Sequence, residues 1–120
     1  MSVDKRVILI GNPNVGKSSI FNKITGENQH TGNWTGKTVD SVESSLVDDK
    51  SVTVVDLPGI YTMAAASAEE VYSKHYLTNH KESFVIIVVD GNCICKSLTL
   101  IEETRNIARN IIIVSNENII

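Results

Sequence analysis

The sequence predicts an α/β fold of three layers, in which helices cover a mostly parallel sheet that has one antiparallel edge strand. Three observations support this fold class. Segments 6–10, 84–90 and 110–115 are nearly continuous runs of Val and Ile, which is typical of parallel strands buried on both faces. Helical patterns separate these segments, so the strands must be joined by right-handed crossovers. The polar stretch 48–51, DDKS, reads as a tight turn between two further strands.

The first half of the chain begins with a strand and a helix. The strand 6–10 leads into a helical pattern that stops at Gly26, and glycine often ends helices. The weaker and more polar segment 38–47 is predicted to be the edge strand, paired through the turn with the strand 51–56. The apolar side of the first helix is predicted to contain Ile20, Phe21 and Ile24.

The second half of the chain contains two more helical patterns. Ser67 and Glu70 have the spacing of a capping box, which predicts that a helix begins there and covers 67–77. The segment 97–108 predicts the last helix. The residues expected to share one face of the earlier helix are Val71, Tyr72, His75 and Tyr76. The stripe expected on the last helix is Leu98, Ile101 and Ala108, with Leu100 and Ile107 beside it.

The composition is that of an ordinary globular domain. The 120 residues suffice for one domain, 1–120, with 42% hydrophobic and 21% charged residues. A net charge of −3 without a basic block argues against nucleic acid as a partner. The longest apolar run, 84–89, is far shorter than the ~20 residues needed to cross a bilayer, and no signal peptide opens the chain. We therefore expect a cytoplasmic protein that does not insert into a membrane.

The cysteines and histidines show no pattern of metal ligands. Cys93 and Cys95 form a single C-x-C pair, which we interpret as two small residues beside a buried strand. His30, His75 and His80 are too irregularly spaced to suggest a metal site.

Residues 11–18, GNPNVGKS, match the pattern G-x-x-x-x-G-K-[ST] and stand between a strand and a helix. The glycines of this motif let backbone N–H groups turn inward around a polyphosphate, and the helix N-terminus adds unpaired donors. Lys17 can reach the β- and γ-phosphates, and Ser18 can ligate Mg²⁺. The predicted nucleotide contacts are Gly11, Asn12, Pro13, Asn14, Val15, Gly16, Lys17, Ser18 and Ser19.

A second motif, DLPG at 56–59, ends the strand 51–56. A carboxylate at the carboxyl end of a strand beside the phosphate loop suits a further Mg²⁺ contact, so Asp56 is a candidate metal residue. Gly59 can place its backbone N–H against a γ-phosphate. The loop 57–66 that contains it is therefore predicted to respond to the presence of that phosphate.

The segment between the two motifs, 27–38, is rich in Gly, Asn and Thr and contains Trp34, the single Trp of the chain. A Thr just before the edge strand can fold over a nucleotide and offer its hydroxyl to Mg²⁺. Thr38 is the preferred candidate, and Thr31 and Thr35 remain alternatives. A loop held by phosphate and Mg²⁺ and released on hydrolysis is an order–disorder switch.

These motifs together resemble those of the cytosolic G domain of the ferrous iron transport protein B family, which belongs to the P-loop GTPases. The stretches GNPNVGKSSIFN, TGNWTGKTVD and DLPGIYT are similar to the family's phosphate loop, first switch and second switch, nearly in register. VVDGNCICKSLTLIEE is similar to its fourth strand and third helix. The resemblance covers roughly residues 5–116 and implies a three-layer P-loop GTPase fold that binds GTP or GDP with Mg²⁺.

The resemblance also implies a K⁺ ion near the phosphates. Asn14 matches the family's residue that helps to hold this ion, and Gly32 and Trp34 match positions whose carbonyls complete the site. Such an ion supplies the positive charge that an arginine finger gives elsewhere.

Ile60 occupies the place of a water-orienting Gln, so slow hydrolysis is expected. The residues implied in catalysis are Lys17, Thr38, Gly59 and Asn14, and the nucleotide contacts gain Gly32, Trp34, Thr35, Thr38, Asp56, Gly59 and Asn116. Thr35 stands where the family usually has Pro.

The base-recognition motif matches only in part. In the family an N-x-x-D motif follows the fifth strand; here Asn116 matches, while Ile119 stands in place of the Asp. The loss of a hydrogen bond to a charged group is expected to reduce guanine affinity roughly tenfold. The fold is expected to be incomplete at the C-terminus, with apolar surface exposed around 110–114. A membrane permease region or a separate chain would then supply the remainder of the transporter.

Three functions are consistent with these patterns. The leading hypothesis is a slowly hydrolysing G domain that signals through the loops 27–38 and 57–66. The alternatives are a nucleotide-binding module without turnover and a GTPase of ribosome assembly.

Overall fold

The structure is a computed structural model that describes residues 5–26 and 41–116. The described elements are, in order, β1 (Arg6–Gly11), α1 (Lys17–Thr25), β2 (Val42–Ser45), β3 (Thr53–Asp56), α2 (Ala68–Thr78), β4 (Phe84–Asp90), a 3₁₀ turn (Ile94–Ser97), α3 (Leu98–Arg105) and β5 (Asn110–Asn116).

The five strands form one sheet in the order β2-β3-β1-β4-β5. β1 lies at the centre, where Ile8 pairs in parallel with Val55 of β3 and with Val85 of β4. β4 and β5 are also parallel, whereas β2 and β3 run antiparallel. The predicted fold class, a mostly parallel sheet with one antiparallel edge strand, is confirmed. The carboxyl ends of the four parallel strands therefore meet at one edge of the sheet.

The core lies on both faces of the sheet, because successive side chains of β1 point to opposite sides. Ile8 and Ile10 belong to one cluster, which includes Leu77 of α2 and Leu100 of α3. Leu9 points the other way and packs with Phe21 of α1 and Val54 of β3. Helices α2 and α3 thus cover one face and α1 covers the other. This arrangement produces three layers.

The predicted face of α2 is confirmed for its two tyrosines, which pack against the core, and is wrong for Val71 and His75. Its fully buried residues are Ser73 and Leu77, which are four positions apart and share a face, whereas Val71 and His75 are exposed. Tyr72 and Tyr76, expected on the same face, are half-buried at its margin. The Tyr72 hydroxyl donates to Ser41 Oγ at 3.1 Å, and the Tyr76 hydroxyl accepts from Arg6 at 2.7 Å. The hydroxyl groups of the two tyrosines therefore form hydrogen bonds with β1 and with the residue that precedes β2.

The caps of α1 and α2 agree with the sequence. Gly26 ends α1 in the left-handed conformation, with its N–H bonded to the carbonyl of Asn22. The N–H of Glu70 donates to Ser67 Oγ at 3.2 Å, which confirms the cap of α2.

The last helix and strand differ from the prediction. Leu98, expected on the buried stripe of α3, is 57% exposed, because the 3₁₀ turn precedes the helix and Leu100 and Thr104 face the core. β5 was expected to be buried on both faces, yet Ile112 and Ile113 are about half exposed. This exposure agrees with the expectation of apolar surface around 110–114. Among the described strands, β5 pairs on one side only, with β4.

None of the helices found in residues 5–26 and 41–116 combines the length and the apolar character that a membrane span requires.

The face of α2 can be tested with two substitutions on the same helix. Leu77→Ala removes a side chain that is fully buried, so the free energy of unfolding should fall by about 2–5 kcal/mol. Val71→Ala, at an exposed position, should change it by less than about 0.5 kcal/mol. Urea denaturation of both variants measures the difference. Equal losses would contradict the observed packing of α2.

Candidate nucleotide site

The loop that follows β1 lies at the carboxyl edge of the sheet, where the parallel strands converge. A Cβ on Gly11 would lie 2.6 Å from the carbonyl oxygen of Val88, so β1 and β4 approach too closely there for a side chain. Asn14 and Gly16 have positive φ angles of 66° and 87°. These two left-handed residues turn the loop back on itself before α1 begins.

Helix α1 begins at Lys17, and no side chain caps its N-terminus. Its first N–H groups therefore point from the helix end toward the loop without a side-chain acceptor. The partial positive charge of a helix N-terminus favours an anion at this position. The loop predicted to bind phosphate thus lies between β1 and α1, and its backbone has the left-handed turn that such a role needs.

The Lys17 amine and the Asp56 carboxylate form a buried ion pair. Lys17 Nζ donates to Asp56 Oδ1 and also to the carbonyl oxygen of Leu57, at 2.7 Å. Asp56 is fully buried and Lys17 is 7% exposed. The sequence placed both residues at one site but did not predict that they contact each other. The signal was available, because Lys17 stands at the end of the loop that follows β1, and Asp56 ends β3, which is the parallel neighbour of β1.

The loop 57–66 lies directly against the phosphate loop. The N–H of Ile60 donates to the carbonyl of Gly11 at 2.9 Å. A Cβ on Gly59 would lie 2.9 Å from Pro13 Cα, so only a glycine permits this approach. The side chain of Ile60 is buried in the core beneath the sheet edge. It therefore points away from the surface on which a nucleotide would lie.

A cleft of about 380 Å³ opens between these two loops. It is lined by Pro58 and mainly by residues of the predicted site, which are Asn12, Pro13, Asn14, Gly16, Lys17, Ser18, Ser19 and Gly59. Glu69, from the first turn of α2, also lines the cleft and was missed by the sequence analysis. The capping box of Ser67 and Glu70 predicted where α2 begins but gave no indication that the first turn of the helix approaches the phosphate loop.

The phosphate loop is also held from the side of β4 and β5. Asn116 Nδ2 donates to the carbonyl of Val15 at 3.1 Å, so the predicted base-recognition residue touches the loop backbone. Asn12 Nδ2 donates to the carbonyl of Lys96 at 3.1 Å and lies 3.3 Å from Ser97 Oγ. Asn12 Oδ1 is buried and has no hydrogen-bond partner among the described residues. The 3₁₀ turn therefore contributes directly to the support of the loop.

The residues present fit a nucleotide with Mg²⁺. The left-handed loop and the uncapped helix provide inward N–H groups, and Lys17 provides a cation for phosphate. The Ser18 hydroxyl and Asp56 carboxylate are oxygen ligands of the type that Mg²⁺ prefers. Asn14, exposed and lining the cleft, is placed where it can offer an amide oxygen to a monovalent cation.

Several predicted site residues lie outside the described residues, and their roles stay predictions. They are Gly32, Trp34, Thr35, Thr38 and its rival Thr31, together with Ile119.

Glu103 of α3 holds the loop 57–66 by three hydrogen bonds. The Thr62 hydroxyl lies 2.7 and 3.0 Å from the two carboxylate oxygens, and the N–H of Met63 donates to Oε1 at 2.7 Å. Met63 itself is buried in the core. This contact could not be predicted, because helical periodicity predicts which apolar residues of α3 face the core but not the partner of a polar residue such as Glu103.

The sheet order, the phosphate loop and the buried Asp at the end of β3 together define a P-loop domain with the GTPase fold. The chain belongs to the ferrous iron transport protein B family, whose family model matches residues 5–118. The resemblance inferred from the motifs is therefore confirmed.

The Fe(2+) transporter FeoB of Methanocaldococcus jannaschii is 44% identical over 95 residues, which cover 78% of this chain and 14% of that protein. The FeoB of Escherichia coli K12 is 40% identical over 97 residues, or 77% of this chain and 12% of that protein. A Fe(2+) transport protein A/FeoB fusion protein of Porphyromonas gingivalis is 37% identical over 113 residues, or 92% and 13%. This chain spans about one-seventh or less of the length of these relatives.

Solved structures of NFeoB from S. thermophilus have the same fold. The mGMPPNP-bound structure aligns with a TM-score of 0.78 at 38% identity, over 91% of this chain and 42% of that chain. The structure bound to GDP·AlF4⁻ and K⁺ aligns with a TM-score of 0.67 at 41% identity, over 78% and 37%.

The contribution of Glu103 can be measured at the Met63 amide. Glu103→Ala removes the acceptor of this N–H, so its hydrogen exchange should become about tenfold faster. Glu102→Ala, at the exposed neighbouring position, is the control and should leave the exchange rate unchanged. Amide exchange followed by NMR measures both. An unchanged rate in Glu103→Ala would show that the loop 57–66 is held by other contacts.

Proposed function

We propose that this chain is a G domain that binds GTP and GDP with Mg²⁺, hydrolyses GTP slowly, and regulates a ferrous iron transporter. The observation that carries the proposal is the buried pair of Lys17 and Asp56 at the mouth of the phosphate loop. Nucleotide-bound relatives with the same fold support it, since one is bound to mGMPPNP and another to GDP·AlF4⁻.

The ion pair compensates the charge of Lys17, which lines the cleft, and the charge of Asp56, which is fully buried. Leaving either Lys17 or Asp56 buried without a partner would be strongly unfavourable. A magnesium nucleotide would offer phosphate oxygens to the lysine and a cation to the carboxylate. Lys17 would then bind the β- and γ-phosphates, while Ser18, Thr38 and Asp56 would hold Mg²⁺. Both charges thus retain a partner of opposite sign when the nucleotide enters.

Hydrolysis in this site would depend on backbone groups and ions. The buried side chain of Ile60 cannot orient a water molecule, so Gly59 N–H and Thr38 would position the γ-phosphate. We propose that Asn14, Gly32 and Trp34 hold K⁺ beside the phosphates. The structure of a relative that is bound to K⁺ supports this proposal. This ion would supply the positive charge that the transition state requires.

A nucleotide-binding module without turnover is the second candidate. This candidate is favoured by Ile60, because a buried apolar side chain stands at the position of a catalytic Gln. Membership of the ferrous iron transport protein B family favours a transporter role over ribosome assembly.

We propose that the partner of this domain is the permease region of a ferrous iron transporter, whether in the same polypeptide or in a separate chain. The domain would then work at the cytoplasmic side of a membrane. The loops 27–38 and 57–66 are the proposed signalling segments, and the second of these is tied to α3 by Glu103. No nucleic acid partner is expected at a net charge of −3.

Nucleotide binding is tested by calorimetric titration with GDP, GTP and ATP in buffer with Mg²⁺ and K⁺. Lys17→Ala should lower GTP affinity tenfold or more, since a charge-assisted phosphate contact of ~2 kcal/mol is lost. Lys23→Ala removes an exposed cation from the same helix and should have no effect. Undiminished binding by Lys17→Ala would overturn the proposal, as would a folded chain that binds none of the nucleotides.

Because Lys17 also compensates Asp56, a thermal melt must show that Lys17→Ala is folded. Ser18→Ala provides a second variant, which should weaken GTP binding only when Mg²⁺ is present. Single-turnover hydrolysis then separates the two candidate functions. Faster phosphate release in K⁺ than in Na⁺ supports the enzyme, and no release in either supports the binding module.

Base selectivity can be tested by gain of function at position 119. With Ile119 in place of the family's Asp, GDP and ADP should bind with similar affinity. Ile119→Asp should raise GDP affinity about tenfold without improving ADP, because a carboxylate can accept hydrogen bonds from guanine. Ile120→Asp introduces the same charge one residue later and is the control. A strong preference of the unaltered chain for GDP would contradict this prediction.

A further inference from the structure

Cys93 and Cys95 face each other at the start of the 3₁₀ turn. Their sulfur atoms are 3.6 Å apart, within sulfur hydrogen-bond distance. Both are free thiols; Cys95 is exposed and Cys93 is partly exposed. They are also the two cysteines of the 120 residues.

The turn that contains these thiols is part of the support of the phosphate loop. Its Lys96, which directly follows Cys95, accepts a hydrogen bond from Asn12 through its carbonyl oxygen. The N–H of Lys96 is in turn bonded to the carbonyl of Cys93 at 3.2 Å. One residue, Lys96, therefore connects the turn of the two thiols with Asn12 of the predicted nucleotide site.

The geometry points to a thiol–disulfide switch: we propose that Cys93 and Cys95 reversibly form an intramolecular disulfide that alters the phosphate loop through Lys96 and Asn12. The sulfurs need to approach by about 1.5 Å to reach the bond length of a disulfide, ~2.05 Å. Rotation of the exposed Cys95 side chain and a small closure of the turn supply this movement. The effect on nucleotide binding rests on the proposed function, whereas the disulfide chemistry does not.

The oxidant is a low-molecular-weight disulfide such as glutathione disulfide. The Cys95 thiolate, the more exposed of the two, attacks one sulfur of the reagent and releases one glutathione thiolate. Cys93 then loses its proton and attacks the Cys95 sulfur, which forms the intramolecular bond and releases the second glutathione. Two electrons and two protons pass from the protein to two glutathione molecules, and reduced glutathione reverses the reaction.

The sulfur pair itself favours this division of roles. The hydrogen bond with Cys95 raises the pKa of the Cys93 thiol, and Asp90 acts in the same direction while Lys96 opposes it. A protonated Cys93 can donate its S–H to the neighbouring sulfur. Cys95 is then the sulfur that meets the reagent first, and Cys93 acts in the second step.

Oxidation should weaken nucleotide binding. Closure of the turn moves the Lys96 carbonyl, which bonds Asn12 at 3.1 Å in the dithiol form. The loss of one hydrogen bond of this kind corresponds to about a fivefold decrease in affinity.

The experiment equilibrates the full chain in glutathione buffers of increasing oxidation, traps free thiols with an alkylating agent, and measures intact mass. The expected product is a monomer that has lost about 2 Da and that dithiothreitol restores to two free thiols. Cys93→Ser should stop at a glutathione adduct on Cys95. Cys95→Ser should react with glutathione disulfide more slowly than the unaltered chain and more slowly than Cys93→Ser. Free thiols under all conditions, a stable adduct on the unaltered chain, or disulfide-linked dimers would each overturn the proposal.

GDP affinity is then measured for the dithiol and disulfide forms by calorimetry. A decrease of about fivefold in the disulfide form supports the link to Asn12. The double variant Cys93→Ser/Cys95→Ser is the control and should show the same affinity in both buffers. Equal affinities of the two forms would overturn the coupling. If no form binds GDP, the proposed function fails, but the mass measurement still decides whether the disulfide forms.

Discussion

The ion pair between Lys17 and Asp56 is the interaction on which the organisation of the site depends. Both groups are almost completely removed from water, so each charge is tolerable only beside the other. Lys17 begins α1 and Asp56 ends β3, and the two elements are joined to β1 by the phosphate loop and by parallel pairing. The pair therefore holds α1 and β3 together beside the carboxyl end of β1. The same point is where the chemistry of a nucleotide would require a cation and a metal ligand.

The segment from the 3₁₀ turn to the end of α3 contacts both loops of the site. Asn12 of the phosphate loop is bonded to Lys96 and Ser97, and Thr62 of the loop 57–66 is bonded to Glu103. The segment thus provides a rigid link between the loop that would bind phosphate and the loop that would respond to it. Packed side chains and hydrogen bonds are among the contacts that carry coupling between sites in proteins.

The sheet and the phosphate loop could be predicted because their signals are local. Runs of Val and Ile identify buried strands, and the spacing from Gly11 to Ser18 between a strand and a helix identifies the loop. The face of α2 could not be predicted from apolar spacing, since Tyr72 and Tyr76 combine apolar rings with hydroxyls that seek polar partners at the margin. Contacts such as that of Glu103 join segments about 40 residues apart, and a single sequence carries no signal for them.

The close approach of Gly59 to Pro13 fixes the loop 57–66 against the phosphate loop at a point where a side chain does not fit. Pro13 Cα lies where even a methyl group on Gly59 would be too near, at 2.9 Å. Because the ring of Pro13 restricts the backbone of the phosphate loop, the loop 57–66 would have to move instead. Replacement of this glycine would therefore displace the loop 57–66, and the Gly59 N–H proposed to contact the γ-phosphate would move with it, a steric constraint that inspection of the phosphate-loop motif alone does not reveal.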